Sequence, residues 1–170
     1  MHSRIFQLST EPIHTSDYIS EYHYDCEHWF FDIADYVCSH RAERNSDIEW
    51  LKQCYKGITF GTDEHGEYLI VENKAEYFQP KFDKFKTVLV ENFQNCTLEQ
   101  FIKGYNQALF MLNDAHNDKY GFYADVSGKI NMWDNEICNI DSELYTFDGF
   151  VRDAISNQKY YIGGTLDYHW

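Results

Sequence analysis

Apolar residues at steps of three and four dominate the first quarter of the chain. Ile19, Tyr22, Cys26, Phe30, Ile33 and Val37 share one stripe if Ser16–Val37 coils as a helix with Ser16 as its N-cap. Asp17, Glu21, Asp25, Asp32 and Asp35 recur in the same rhythm on the other side, with His28 in the one gap. The pattern predicts an amphipathic helix with an acidic outer face, and Glu27–Trp29 is where it would split in two. Arg4–Leu8 reads as a short strand ahead of it.

Further along, Ser46-Asp47-Ile48-Glu49 has the form of a capping box and predicts a helix to about Lys56. Gly57 and Gly61 introduce a hairpin, with Ile58–Phe60 and Glu67–Val71 as strands around Asp63-Glu64-His65-Gly66. Phe82–Val90 fits a strand or a short helix. Thr97 and Gln100 form a second capping box, opening a helix to about Asn113. A second hairpin is expected from Tyr120–Val126 and Lys129–Trp133 about Ser127-Gly128. Thr146–Ile155 reads as a short helix, and Tyr160–Ile162 with Leu166–Trp170 as a terminal strand bent at Gly163-Gly164. Helices and hairpins alternate without βαβ units. The expectation is therefore an α+β fold: a small antiparallel sheet built from hairpins, packed against three or four helices around an aromatic-rich core.

Composition supports a folded chain. Hydrophobic residues make up 44% and aromatics 18%, where acidic disordered segments are poor in rings. At 170 residues, with two prolines and no Gly/Ser-rich linker, a single domain over 1–170 is expected. Five widely spaced cysteines without a C-x-x-C pair, no apolar leader and no stretch of transmembrane length read as cytoplasmic.

Charge sharpens the picture. Asp and Glu number 28 against 14 Lys and Arg, and between Arg4 and Arg41 seven carboxylates occur with no Lys or Arg. Ile130–Val151 is likewise free of basic residues. Such segments build a single-sign field that repels nucleic acid and anionic membrane and attracts basic protein surfaces. On a helix, carboxylates four residues apart rise about 6 Å per step, close to the phosphate spacing of a nucleic acid strand. Like charges at i and i+4 cost a few tenths of a kcal/mol each, so a sequence tuned for stability alone would mix the signs. Tyr24 and Phe31 project toward the acidic side of this helical wheel and would serve as aromatic anchors. The bland alternative is a solvated face of an acidic protein.

Other chemistry is sparse. His23, Cys26, His28, Cys38 and His40 carry zinc-type donor atoms, yet Cys26 and Cys38 fit the apolar stripe and residues two apart do not share a helical face. Asp114–Asp118 with His116 reads as a polar turn. No metal site or cofactor is assigned. Nucleotide-binding, nucleophile-elbow and zincin motifs are absent, so no catalytic residue is assigned. Asp63-Glu64-His65 lies at a hairpin tip, and Asp167 with His169 would make an acid–base pair only if the fold assembles them.

The expected function is a non-enzymatic protein-binding protein that engages a basic surface through Asp17, Glu21, Tyr24, Asp25, Phe31, Asp32 and Asp35. Its size, charge and compactness are similar to those of acidic inhibitors made by phages and mobile elements, which occupy the nucleic-acid channels of restriction or CRISPR nucleases. That comparison implies a nucleic-acid mimic acting on a nucleic-acid-binding enzyme, with no direct contact to nucleic acid or membrane. Two alternatives stand beside it: a small metal-dependent or acid–base enzyme with a dispersed His/Asp site, and a structural subunit or homo-oligomer.

Overall fold

Consecutive buried residues locate the centre of the fold. Ile5, Phe6, Gln7 and Leu8 are all buried, as are Ile162 through Tyr168, so these two strands are covered on both faces. The computed structural model describes residues 2–24, 29–32, 34–39, 43–95, 97–103, 123–126 and 143–169. They form two compact units, one of residues 1–74 with 121–170 and the other of residues 75–120.

The first unit is built on a seven-stranded sheet. Its strands are β1 (His2–Ser9), β2 (Tyr36–Cys38), β3 (Ile58–Asp63), β4 (Gly66–Val71), β5 (Tyr123–Val126), β6 (Glu143–Thr146) and β7 (Lys159–His169). The order is β3-β4-β7-β1-β5-β6, and β2 pairs with the C-terminal part of β7. All pairs are antiparallel except β1 with β5. The protein is thus α+β with a mainly antiparallel sheet. The β3–β4 hairpin is the one expected, closed by Glu64 and His65 between the paired Asp63 and Gly66. The second hairpin is not: β5 pairs with β6, and Lys129–Trp133 lies outside the described residues.

The glycine bend is a bulge within one continuous strand. Phe6 pairs with Thr165 and Leu8 with Ile162, so Gly163 and Gly164 both oppose Gln7. A side chain at Gly164 would press on Tyr18 Cβ at 3.1 Å and on the Ile19 backbone at 3.2 Å. Gln7 Oε1 accepts from the backbone N–H of Gly164 (2.9 Å) and of Ile19 (3.0 Å), tying bulge and loop together. Between β4 and β2, the Arg44 guanidinium donates to the carbonyls of Gly163 and Ile162, both at 2.7 Å, and to Glu67 Oε2 at 2.6 Å. It fills the gap the two short strands leave on the edge of β7.

Helices α1 (Arg44–Cys54) and α4 (Phe147–Asp153) cover one face of the sheet. The Phe150 ring lies 5.0 Å from Tyr160, and Phe147 stacks 5.2 Å from Tyr55 just beyond α1. Thr146 caps α4 by accepting from the Gly149 N–H at 3.0 Å. The capping box expected at Ser46 does not form. Helix α1 begins three residues earlier, with Glu43 at the N-cap position, and the Asp47 carboxylate turns inward to Arg4 and Thr165.

The opposite face is covered by a loop layer, and here the expected Ser16–Val37 helix gives way. Short 3-10 turns occupy Thr15–Asp17, Glu21–His23 and Trp29–Asp32, and Tyr36–Cys38 is strand. The stripe residues Ile19 and Phe30 still reach the core, joined by Tyr24 and Ala34, and pack on Ile5, Leu144, Leu166 and Tyr168. The buried positions of this layer, Ile19, Tyr24, Phe30 and Ala34, stand five, six and four residues apart, a spacing set by where the loop touches the sheet and not by a helical turn. What overrides the helix is long-range backbone capture. Gln7 Nε2 donates to the Asp17 carbonyl (2.9 Å), and the Asp35 N–H donates to His169 (2.7 Å).

The second unit contains most of α2 (Lys74–Asn95), with Pro80 inside it, and α3 (Leu98–Lys103). The ambiguous Phe82–Val90 segment is therefore helical, and the rest of the helix expected from Thr97 to Asn113 lies outside the described residues. Phe82, Leu89, Val90, Leu98 and Ile102 are exposed on these helices. Among the described residues, no helix is long and apolar enough to cross a membrane.

Candidate functional site

Strand register assembles a polar cluster at the C-terminal end of β7. Cys38 on β2, Asp167 on β7 and Arg4 on β1 are cross-strand partners in one row, and Tyr36, His169 and His2 form the next. Alternate residues of a strand share a face, so the two rows lie side by side. Asp167 is buried at 1% exposure, and its Oδ1 accepts from Arg4 Nη1 while its Oδ2 lies 2.9 Å from His2 Nδ1. Arg4 Nε donates to Asp47 Oδ1 at 2.6 Å, and the other Asp47 oxygen accepts from Thr165 Oγ1 at 2.9 Å. The buried Cys38 thiol sits 4.0 Å from Asp167 Oδ2. One guanidinium thus holds two buried carboxylates, the arrangement a buried charge requires.

The second row is more open. His169 Nδ1 lies 2.9 Å from Asp35 Oδ2, and its ring stacks on Tyr36 at 5.4 Å. The suggested pair of Asp167 with His169 is therefore not made. Asp167 takes His2 and Arg4, while His169 takes Asp35. Sequence reasoning had no means of finding His2, because only the β1–β7 register brings it 165 residues along the chain to Asp167.

The residues expected to bind a partner are dispersed over the loop layer. Asp17 and Asp32 are exposed on the first and third 3-10 turns. Glu21 is half-buried, and its Oε2 accepts from the Ser39 N–H at 2.8 Å, beside the end of β2. Asp35 is exposed at the other end of β2. Tyr24 is buried in the core cluster, so its ring is not displayed as an anchor, and Phe31 is partly buried against that cluster. Tyr22, assigned by the helical wheel to the buried stripe, is instead 88% exposed. Asp25 lies outside the described residues, as do Cys26, His28 and His40 of the zinc-type set and the Asp114–Asp118 turn.

Charge follows the division into units. Residues 1–74 and 121–170 hold 22 of the 28 carboxylates and nine of the 14 basic residues, whereas residues 75–120 hold six and five. Several of those nine bases are engaged internally. Arg4 is held by Asp47 and Asp167, Arg44 by Glu67, Lys52 by Glu49, Arg152 by Asp153 and Lys159 by Asp63.

The hairpin tip forms a separate structural cluster. Asp63 Oδ2 accepts from Lys159 Nζ at 2.7 Å and Tyr161 Oη at 3.2 Å, while the His65 N–H donates to Oδ1 at 2.9 Å. The Lys159 hydrogen bond, then that of His65, holds the Asp63 carboxyl below the usual carboxylate range, and the same bond raises Lys159. Removal from water and then the Asp63 hydrogen bond push the Tyr161 phenol up.

In comparisons with known proteins, no family model matches the chain, and no curated protein or solved structure matches it.

Proposed function

We propose that this chain is a non-enzymatic binder of a basic protein surface, mimicking nucleic acid toward a nuclease or another nucleic-acid-binding enzyme. The observation that carries this reading is the loop layer laid over one face of the sheet. No Lys or Arg occurs between Arg4 and Arg41, and Asp17, Asp32 and Asp35 are exposed there together with the 88% exposed Tyr22. An acidic layer whose own segment carries no Lys or Arg offers a basic channel the electrostatic partner that phosphates normally provide, with counterions released on contact. An exposed tyrosine in the same layer supplies the apolar anchor that charge alone lacks. The carboxylates do not stand in one evenly spaced helical row, so mimicry on this reading rests on field and surface chemistry.

The test is DNA cleavage by a panel of restriction and RNA-guided nucleases, with the protein in up to hundredfold excess and salt raised from about 50 to 500 mM. Inhibition that decays with salt and is lost in the Asp17→Lys/Asp32→Lys variant supports the proposal. Absence of inhibition across the panel, or inhibition indifferent to both salt and charge reversal, refutes it.

A further inference from the structure

The β1–β7 register sets His2 directly opposite His169, with ring centroids 5.0 Å apart. Each ring commits its Nδ1 to a carboxylate at 2.9 Å, His2 to Asp167 and His169 to Asp35. A neutral imidazole that donates from Nδ1 keeps its lone pair on Nε2, the form in which histidine binds a metal, and a carboxylate behind the ring is the usual outer-shell partner. Neither ring is sealed from solvent, their side chains being 47% and 32% exposed.

The spacing suits a shared ion. With Zn–N bonds of about 2.1 Å and an N–Zn–N angle of about 90–110°, two ring centroids lie roughly 4.6–5.3 Å apart. The observed 5.0 Å falls inside that window. Tyr36, stacked on His169 with an interplanar angle of 7°, restricts rotation of that ring. The carboxylate excess of this unit raises the local concentration of cations. Among the described residues, no group of three or more His, Cys, Asp or Glu is placed to hold a metal ion, and a two-histidine site leaves the other coordination positions to water.

We propose that His2 and His169 form a two-imidazole, water-completed site for a borderline divalent transition metal such as Zn2+. The nuclease-binding reading does not depend on this site, nor the site on that reading. Half the ligand set of a structural zinc site, and so about half its binding free energy, sets the Kd on the order of 1–200 μM.

Calorimetric titration of the reduced full chain with Zn2+ tests the assignment. The expected result is a binding event in that range that weakens at least tenfold in His2→Gln and in His169→Gln. Asp35→Ala, which keeps both ligands and removes an outer-shell carboxylate, should weaken it about tenfold. Imidazole 1H–15N spectra of the unaltered protein read the same site independently of how the variants fold: Zn2+ should shift the His2 and His169 rings together. Zn2+ binding of unchanged affinity and stoichiometry in the folded double variant, or ring resonances of both residues that Zn2+ leaves unmoved, would overturn the proposal.

Discussion

Arg4→Met removes a cation shared by two buried carboxylates. Asp167 and Asp47 have side chains only 2% and 5% exposed, and the Arg4 side chain is 21% exposed. After the substitution Asp47 retains Thr165 and Asp167 retains His2, but neither keeps the guanidinium that neutralised it. Breaking a buried ion pair from one side costs about 3–5 kcal/mol, a large part of the roughly 5–15 kcal/mol that holds a domain folded. In urea unfolding followed by far-UV circular dichroism, that loss lowers the midpoint by about 1.5–3.3 M for a slope near 1.5–2 kcal/mol/M. The same reasoning makes a sharper demand. Arg4→Met/Asp47→Asn/Asp167→Asn removes all three charges together and leaves similar shapes, so it should lose less than half as much stability as Arg4→Met alone. A triple variant as unstable as the single one would refute the account, because the cost would then lie in lost packing or hydrogen bonds and not in stranded charge.

The two tyrosines of the loop layer should separate stability from binding. Tyr24→Ala is expected to cost about 3–5 kcal/mol in denaturant unfolding, whereas Tyr22→Ala should stay within about 0.5 kcal/mol and weaken only inhibition of the sensitive nuclease. Gly164→Ala places a methyl against Tyr18 and the Ile19 backbone, and should lower stability by about 1–3 kcal/mol in thermal melts. The depressed Asp63 carboxyl contributes stability that is present above its ordinary titration near pH 4 and is lost as pH falls through its lower folded value. Amide exchange in the β3–β4 hairpin should accordingly speed up, relative to the intrinsic rate, on acidification from about pH 4 to 2, and Asp63→Asn should abolish that dependence.

Local features were legible in the sequence, and distant ones were not. The β3–β4 hairpin and helix α4 follow from signals within a dozen residues: Gly57, Gly61 and the Asp63-Glu64-His65-Gly66 turn for the first, and the apolar Phe147, Phe150 and Val151 for the second. Apolar spacing correctly marked Ile19 and Phe30 as core, because large apolar side chains in a segment lying on a sheet are driven to its covered face. It misassigned Tyr22 and Tyr24, because the positions between those anchors depend on backbone conformation, set here by Gln7 and His169 far along the chain. The pairing of β5 with β6 and the meeting of His2, Arg4 and Cys38 at Asp167 are likewise properties of strand register. The carboxylates of the candidate surface were visible as composition, and their arrangement depended on the fold.

The central position of β7 also fixes the order in which this protein can be made. It is the last of the seven strands in the chain, yet β1, β2 and β4 all pair with it, and β1, the first, does so along nearly its whole length. During synthesis, β1 can meet β5 and β6 first, whereas β2 and the β3–β4 hairpin have no strand to join them to that sheet until residues 159–169 emerge. Closure then joins segments more than 150 residues apart, a slow search that leaves the nascent chain open late. A chain ending before Lys159 would lack the strand that joins β1 to β4, and β1 and the β3–β4 hairpin would have no common partner.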